Sequence, residues 1–362
     1  MYSSPACRVV LSAVLIAAAG VSLASNAYAA KRPNVVLIMT DNHGAWTLGC
    51  YGNKDIRTPN IDKLAARGVV FERAYCQQAV CSPSRVSIML GMRPDATRVW
   101  DLTTHFRDTV PDAITLSQHF KTHGYFTQSL GKIYHKIHMQ DDDNSWSVPS
   151  KLGRGAYWKT EASKAILERL QQDADAAGLK GKQRYYATRG PAYEASEAPE
   201  QSYSDSNVAS MAVQALRDQA KNAEPFFLAV GFIRPHLPFS CPKKYWDLYQ
   251  RDSIKLAANP MLPEGVPKLA PSDWGELRHY HGMPKSGPVT DEQAKELIHG
   301  YRACVSYVDD LVGQVVDELD RLELRDNTII VLWGDHGWKL GEHGLWCKHT
   351  NFELDARVPL MI

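Results

Sequence analysis

The stretch Cys81-Ser82-Pro83-Ser84-Arg85 sits between two apolar runs, and its surroundings decide how the rest of the chain is read. Before it lies Val69-Val70-Phe71-Glu72-Arg73-Ala74-Tyr75, which reads as extended. After it lies Val86-Ser87-Ile88-Met89-Leu90, closed by Gly91. A strand, a short turn and a helix start are the simplest description. Such a turn carries Cys81 at a helix N-terminus. Free backbone N–H groups and the positive end of the helix dipole there favour a thiolate or a bound oxyanion. The plain alternative is a structural Cys buried beside a helix cap.

Working outward toward the N-terminus, Asn34-Val35-Val36-Leu37-Ile38-Met39-Thr40 predicts a strand buried on both faces of a parallel sheet. It ends at Asp41-Asn42-His43-Gly44. Ligands of open α/β sheets gather beyond the carboxyl ends of strands. Two oxygen-bearing side chains at that place suit a hard cation, and a turn closed by Asx hydrogen bonds is the alternative. Thr58-Pro59-Asn60 starts a helix with Pro in its first turn. Ile61, Leu64 and Ala65 supply its apolar stripe and Gly68 closes it.

Toward the C-terminus, residues 113–123 predict a helix and 125–130 a second core strand. That strand runs into Gly131-Lys132-Ile133-Tyr134-His135, where Lys132 and His135 suit an anion and a solvated loop is the alternative. Residues from about 140 to 202 read as a loop-rich insertion with two short helices, of the kind that shapes a binding mouth. Residues 204–220 predict a helix and 225–231 a third strand. This strand leads to Arg234-Pro235-His236-Leu237-Pro238, whose prolines fix the backbone around His236. Beyond a Pro-rich loop, residues 291–322 predict one long helix or two. Leu297, Tyr301, Val305, Val308 and Leu311 lie on the buried stripe, which makes Tyr301 core rather than site. Residues 327–333 predict a fourth strand that delivers Gly334-Asp335-His336-Gly337, and 357–362 begin a fifth.

Composition narrows the function. The chain has 362 residues, enough for one large α/β domain or two smaller ones. Forty-one Lys and Arg balance 40 Asp and Glu and no basic run stands out, so nucleic acid is not an expected partner. Arg8, an apolar run from Val9 to Leu23 and Ala27-Tyr28-Ala29 predict a signal peptide over 1–29 and export to a periplasm or the extracellular space. That run is short for a stable membrane span. Six cysteines follow it, Cys50, Cys76, Cys81, Cys241, Cys304 and Cys347; they match no zinc spacing, and their pairing is not readable.

Cys81-Ser82-Pro83-Ser84-Arg85 resembles the signature of the type I, formylglycine-dependent sulfatases, and the resemblance runs from Pro33 to Ile362 with its motifs in family order. Leu48-Gly49-Cys50-Tyr51-Gly52, Gln78-Ala79-Val80-Cys81, Gly91-Met92-Arg93-Pro94-Asp95 and His336-Gly337-Trp338-Lys339-Leu340-Gly341-Glu342-His343-Gly344 are most similar to the iduronate sulfatase branch. The resemblance implies an α/β, alkaline-phosphatase-like fold: a mostly parallel sheet sandwiched by helices, with 30–362 forming the N-terminal catalytic domain. It further implies that a C-terminal subdomain is absent here. It implies hydrolysis of sulfate esters, on a sulfated sugar or polysaccharide. Cys81 would be converted to formylglycine by a formylglycine-generating enzyme, and one Ca²⁺ would be held by Asp41, Asn42, modified Cys81, Asp335 and His336. Asp41-Asn42 departs from the two consecutive Asp usual in that branch, at the loss of one negative charge. By the same resemblance Arg85, Lys132 and Lys348 neutralise the sulfuryl oxygens, Asp335 is the base, His236 the acid for the leaving alcohol and His135 the helper in sulfate release. A phosphomonoester or phosphonate hydrolase of the same superfamily, and an inactive secreted fragment, are the competing readings.

Overall fold

Strand β1 (Asn34–Thr40) is buried at every position. Its odd and even side chains enter different packing layers, so the five residues between Asn34 and Thr40 are all apolar. Val36 and Ile38 face one layer with Leu228 and Val230, whereas Val35, Leu37 and Met39 face the other with Phe227 and Ala229. The computed structural model describes residues 32–136 and 142–362, and Pro33–Ile362 forms one compact unit. The expected signal peptide lies outside the described residues.

The helices that bear on the sheet and the site include α1 (Pro59–Ala65), α2 (Cys81–Leu90), α3 (Leu116–Thr122), α4 (Glu161–Ala176), α5 (Gly181–Ala187), α6 (Ser204–Gln219), α7 (Gly275–Arg278) and α8 (Asp291–Arg321). With β1 in the main sheet run β2 (Phe126–Gly131), β4 (Phe226–Gly231), β6 (Thr328–Gly334) and β9 (Leu360–Met361). Their order is β2-β4-β1-β6-β9. All pairs are parallel except β6 with β9. Two small sheets pair β3 (Tyr193–Ser196) with β5 (Phe239–Pro242) and β7 (Lys339–Leu340) with β8 (Trp346–Cys347).

The four parallel strands were legible in the sequence to within a residue or so, and residues 291–322 resolve into one helix rather than two. Helix α8 is 31 residues long and begins with a capping box between Thr290 and Gln293. Its Leu297, Tyr301, Val305, Val308 and Leu311 are wholly buried against β1 and α6.

Three expectations are corrected. Residues 69–75 form no strand; Val70 and Tyr75 make isolated bridges to Met361 and Arg357. Val69, Phe71 and Tyr75 are exposed, so this run lies across the sheet edge rather than inside it. Residues 142–202 carry the two helices expected there, but α4, capped by Thr160, is longer than the short helix expected, at 16 residues. Its apolar stripe is sparse, and that hid its length. The helix expected over 113–123 starts only at Leu116, where the Thr115 hydroxyl accepts from Gln118 N.

Candidate active site

The four parallel strands of the sheet end at one pit. Asp41 and Asn42 follow β1, Asp335 and His336 follow β6, Lys132 and His135 follow β2, and His236 follows β4. This is the carboxyl end of the sheet, where loops diverge and leave a crevice. Helix α2 points its first turn into the same place. Cys81 is its first residue, after Val80 in extended conformation, and Gly91 closes it at φ 63°.

Asp41, Cys81, Asp335 and His336 are all buried, and their ligand atoms lie within 4.8 Å of one another. Cys81 Sγ is 3.5 Å from Asp41 Oδ1 and 3.2 Å from His336 Nε2. Arg85 Nε donates to Asp335 Oδ2 at 2.8 Å, and its Nη1 donates to the carbonyls of Lys132 and Ile133, tying α2 to β2. Lys132 Nζ donates to Asp41 Oδ2. Asn42, at φ 62°, donates its N–H to Asp335 Oδ1, and Tyr301 OH donates to Asn42 O at 2.7 Å. Tyr301 is therefore core, as expected, yet its hydroxyl anchors the loop.

The charges act on one another strongly. Burial opposes ionisation of Cys81, but Lys132, Lys348 and His336 outweigh it and hold the thiol well below its usual range. Burial and Cys81 push Asp41 up, yet Lys132, His236 and Arg85 more than reverse this. Asp335 goes the other way: burial and the charge of Asp41 raise it. Two neighbouring buried carboxylates are thus driven apart, and a cation between them would relieve that conflict.

The donor set fits a hard cation at the two carboxylates but not at Cys81, since a thiol is a soft ligand. Oxygen at position 81 would make that corner hard as well. Asn42 Oδ1 already accepts from Lys348 Nζ at 3.0 Å, while Asn42 Nδ2 is buried without a partner.

The sequence reading missed Glu276, at the start of α7. His236 Nε2 lies 3.0 Å from its Oε1 and Lys348 Nζ lies 3.1 Å from its Oε2. Burial raises Glu276, but Lys348 and His236 hold it well below the carboxylate range. A single acid in a Pro-rich loop carries no spacing signal; only the fold brings 236, 276 and 348 together. His135 and His236 line the same cavity as Cys81. All the predicted residues thus converge, and Cys81, Lys132, His135, His236 and Lys348 open into a cavity of about 700 Å³.

This geometry defines a class, mostly parallel α/β proteins with a buried, charge-ringed pit at the carboxyl ends of their strands. The family model for sulfatases matches residues 33–362, and the chain belongs to the sulfatase family. Iduronate 2-sulfatase of Mus musculus is 38% identical over 339 residues, covering 91% of this chain and 59% of that protein. Iduronate 2-sulfatase of Homo sapiens is 36% identical over 362 residues, covering 97% and 63%. The chain thus spans about 60% of the length of these relatives. The phosphonate monoester hydrolase of Agrobacterium radiobacter superposes at a TM-score of 0.64 with 24% identity, over 91% of this chain and 68% of that one. The structure of a protein with its substrate D-glucosamine-2-N,6-O-disulfate does so at 0.64 with 22% identity, over 91% and 71%. The expected alkaline-phosphatase-like fold and the kinship to the iduronate branch are both borne out. Among the described residues no helix is long and apolar enough to cross a membrane.

Proposed function

We propose that this chain carries the catalytic site of a sulfuric ester hydrolase acting on a sulfated sugar, after export from the cell and conversion of Cys81 to formylglycine by a maturation enzyme. One observation carries the reading: Cys81 is the buried first residue of α2, enclosed by Asp41, Asp335 and His336 within 4.8 Å. A buried structural Cys needs no such ring of charge.

Asp41, Asp335, His336 and the modified residue would hold Ca²⁺, with Asn42 joining if Lys348 yields its Oδ1. A bound Ca²⁺ supplies positive charge that polarises the sulfuryl group. Arg85, Lys132 and Lys348 do the rest of the neutralising, and their fixed positions spare the reaction any reorganisation cost. Asp335, raised by burial and by Asp41, is placed to take a proton from the nucleophile. His236, held by Glu276, is placed to give one to the leaving alcohol. His135 remains to assist sulfate release. The modification matters because a geminal diol keeps a second hydroxyl to expel sulfate, which a thiol lacks.

The test is the mass of the tryptic peptide from Ala74 to Arg85, from protein co-expressed with a formylglycine-generating enzyme. It is paired with turnover of 4-nitrophenyl sulfate, phosphate and phenylphosphonate. An aldehyde at 81 with preferred sulfate turnover is the expected outcome. An unmodified thiol, or preferred phosphate or phosphonate turnover, overturns it.

A further inference from the structure

The cavity has a second wall that the chemistry at Cys81 does not use. Tyr185 and Tyr186 from α5, Arg189 just beyond it, and His279 at the end of α7 line the same cavity as Cys81. Tyr186 stacks on His279 with ring centroids 3.8 Å apart and planes 8° apart. Arg189 is half-buried and lies 4.8 Å from the ring centroids of both Tyr185 and Tyr280. Its Nη2 donates to Tyr185 OH at 2.7 Å and its Nη1 to Glu276 O at 3.3 Å.

Among the described residues, no carboxylate pairs with this guanidinium. That is unusual in a protein whose other half-buried arginines mostly find one, as Arg107 does with Asp142 and Arg302 with Asp55. Aromatic faces and neutral oxygens hold Arg189 in place, and Glu276, whose charge also favours the cation, makes no ion pair with it. The guanidinium keeps its full charge and a planar fork suited to a carboxylate or sulfate. Tyr185 remains 58% exposed, so one aromatic face is free to cover an apolar ligand surface. The position is also tied to the reacting end of the cavity. Glu276 accepts from Arg189 through its carbonyl and holds His236 and Lys348 through its carboxylate.

We propose that Arg189, with Tyr185 and the Tyr186–His279 stack, forms a second subsite that binds the neighbouring sugar of an anionic oligosaccharide through that sugar's carboxylate or second sulfate. The inference rests on the sulfatase reading and deepens it: the substrate is at least two residues long and carries an anion beside the sulfate to be cleaved. Lys132, Lys348 and Arg85 serve the cleaved sulfate, and Arg189 serves its neighbour.

The experiment compares the wild type with Arg189→Ala and Arg189→Lys on two substrates. One is 4-nitrophenyl sulfate, too short to span both ends. The other is a sulfated, uronate-containing disaccharide prepared from heparin, offered also in carboxyl-reduced and partly desulfated forms to identify the anion. Turnover of the aryl sulfate by the wild type reads the sulfatase proposal by itself. Binding of the disaccharide, by titration calorimetry on both proteins, reads the subsite whether or not turnover occurs. Arg189→Ala is expected to weaken disaccharide binding tenfold or more and to lower the ratio of disaccharide to aryl sulfate kcat/KM equally, mainly through KM. Arg189→Lys recovers part of the loss. A derivative stripped of both extra anions should bind the two proteins alike. Equal disaccharide binding by wild type and Arg189→Ala overturns the proposal. So does a uniform fall on both substrates, which marks a structural role, or equal sensitivity of the stripped derivative.

Discussion

His236, in the loop after β4, and Glu276, in α7, meet at 3.0 Å, both largely withdrawn from solvent and lining the same cavity as Cys81. The carboxylate favours the protonated imidazole, against burial and Lys348, which oppose it; the net direction is up. A proton donor aimed at the leaving oxygen matters most when the leaving alcohol is a poor one. His236→Ala should therefore lower kcat on an unactivated sugar sulfate by roughly 10²–10⁴. It should lower kcat on 4-nitrophenyl sulfate far less. Glu276→Gln should show the same pattern in weaker form. A plot of log kcat against leaving-group pKa checks it: the slope steepens in both variants if His236 is the acid, and stays parallel if it is not.

Adding and withdrawing Ca²⁺ tests the cation site proposed at the carboxylate pair. Asp41 and Asp335 share a pit with His336, and burial gives them little water to screen their repulsion. A cation that binds only the folded state stabilises it by about 2.7 kcal/mol at a hundredfold excess over Kd. Thermal melting of chelator-treated protein should shift upward by several degrees with added Ca²⁺. Asp41→Asn should lose that shift. A melting curve indifferent to Ca²⁺ in the wild type would sink the assignment, independently of any activity measurement.

How much of this site the sequence revealed follows from where each residue sits. Asp41, Asn42, Asp335 and His336 lie at the ends of apolar strands, so hydrophobic patterning alone marks them as candidates. Cys81 and Arg85 lie one helical turn apart, and local spacing places both on the inner face of α2. Glu276 and Arg189 were invisible. Each sits in a stretch without periodicity, and each gets its meaning from partners distant in sequence. Val69–Tyr75 misled for a related reason: its composition suits a strand, but the run makes only isolated bridges, Val70 to Met361 and Tyr75 to Arg357. Patterning reports burial, and it fails where tertiary pairing decides the outcome.

Behind the pit at Cys81 lies a buried ion pair. Lys339 Nζ donates to Asp355 Oδ2, and both side chains are wholly inaccessible. Asp355 also accepts from Thr350 N, and its carbonyl accepts from Gly337 N at 2.7 Å, next to His336. Removing one partner of such a pair leaves a buried charge, at a cost of about 3–5 kcal/mol. Lys339→Met should lose stability on that scale in urea unfolding. Replacing both partners together with apolar residues should recover much of it. A loss below about 1 kcal/mol, the range of an exposed pair, would show that water reaches Asp355 in solution.

Gly231 and Gly91 offer a controlled contrast. Gly231 pairs with Gly131 at the ends of β4 and β2, where Lys132 N donates to Gly231 O at 2.8 Å. A Cβ at 231 would stand 2.0 Å from Lys132 O, a backbone atom that cannot rotate away. That same carbonyl accepts from Arg85. Gly231→Ala must therefore push β2 outward and move Lys132 and Arg85 together. Overpacking costs about 1–3 kcal/mol and can cost more, and activity should fall further than stability, because small displacements of catalytic groups cost about 10²-fold. Gly91→Ala meets nothing within 4 Å, so only its φ of 63° is strained. It should lose about 1–2 kcal/mol while kcat stays close to wild type. Equal effects of the two variants on kcat, measured well below both melting temperatures, would mean that the β2–β4 contact does not set the positions of Lys132 and Arg85.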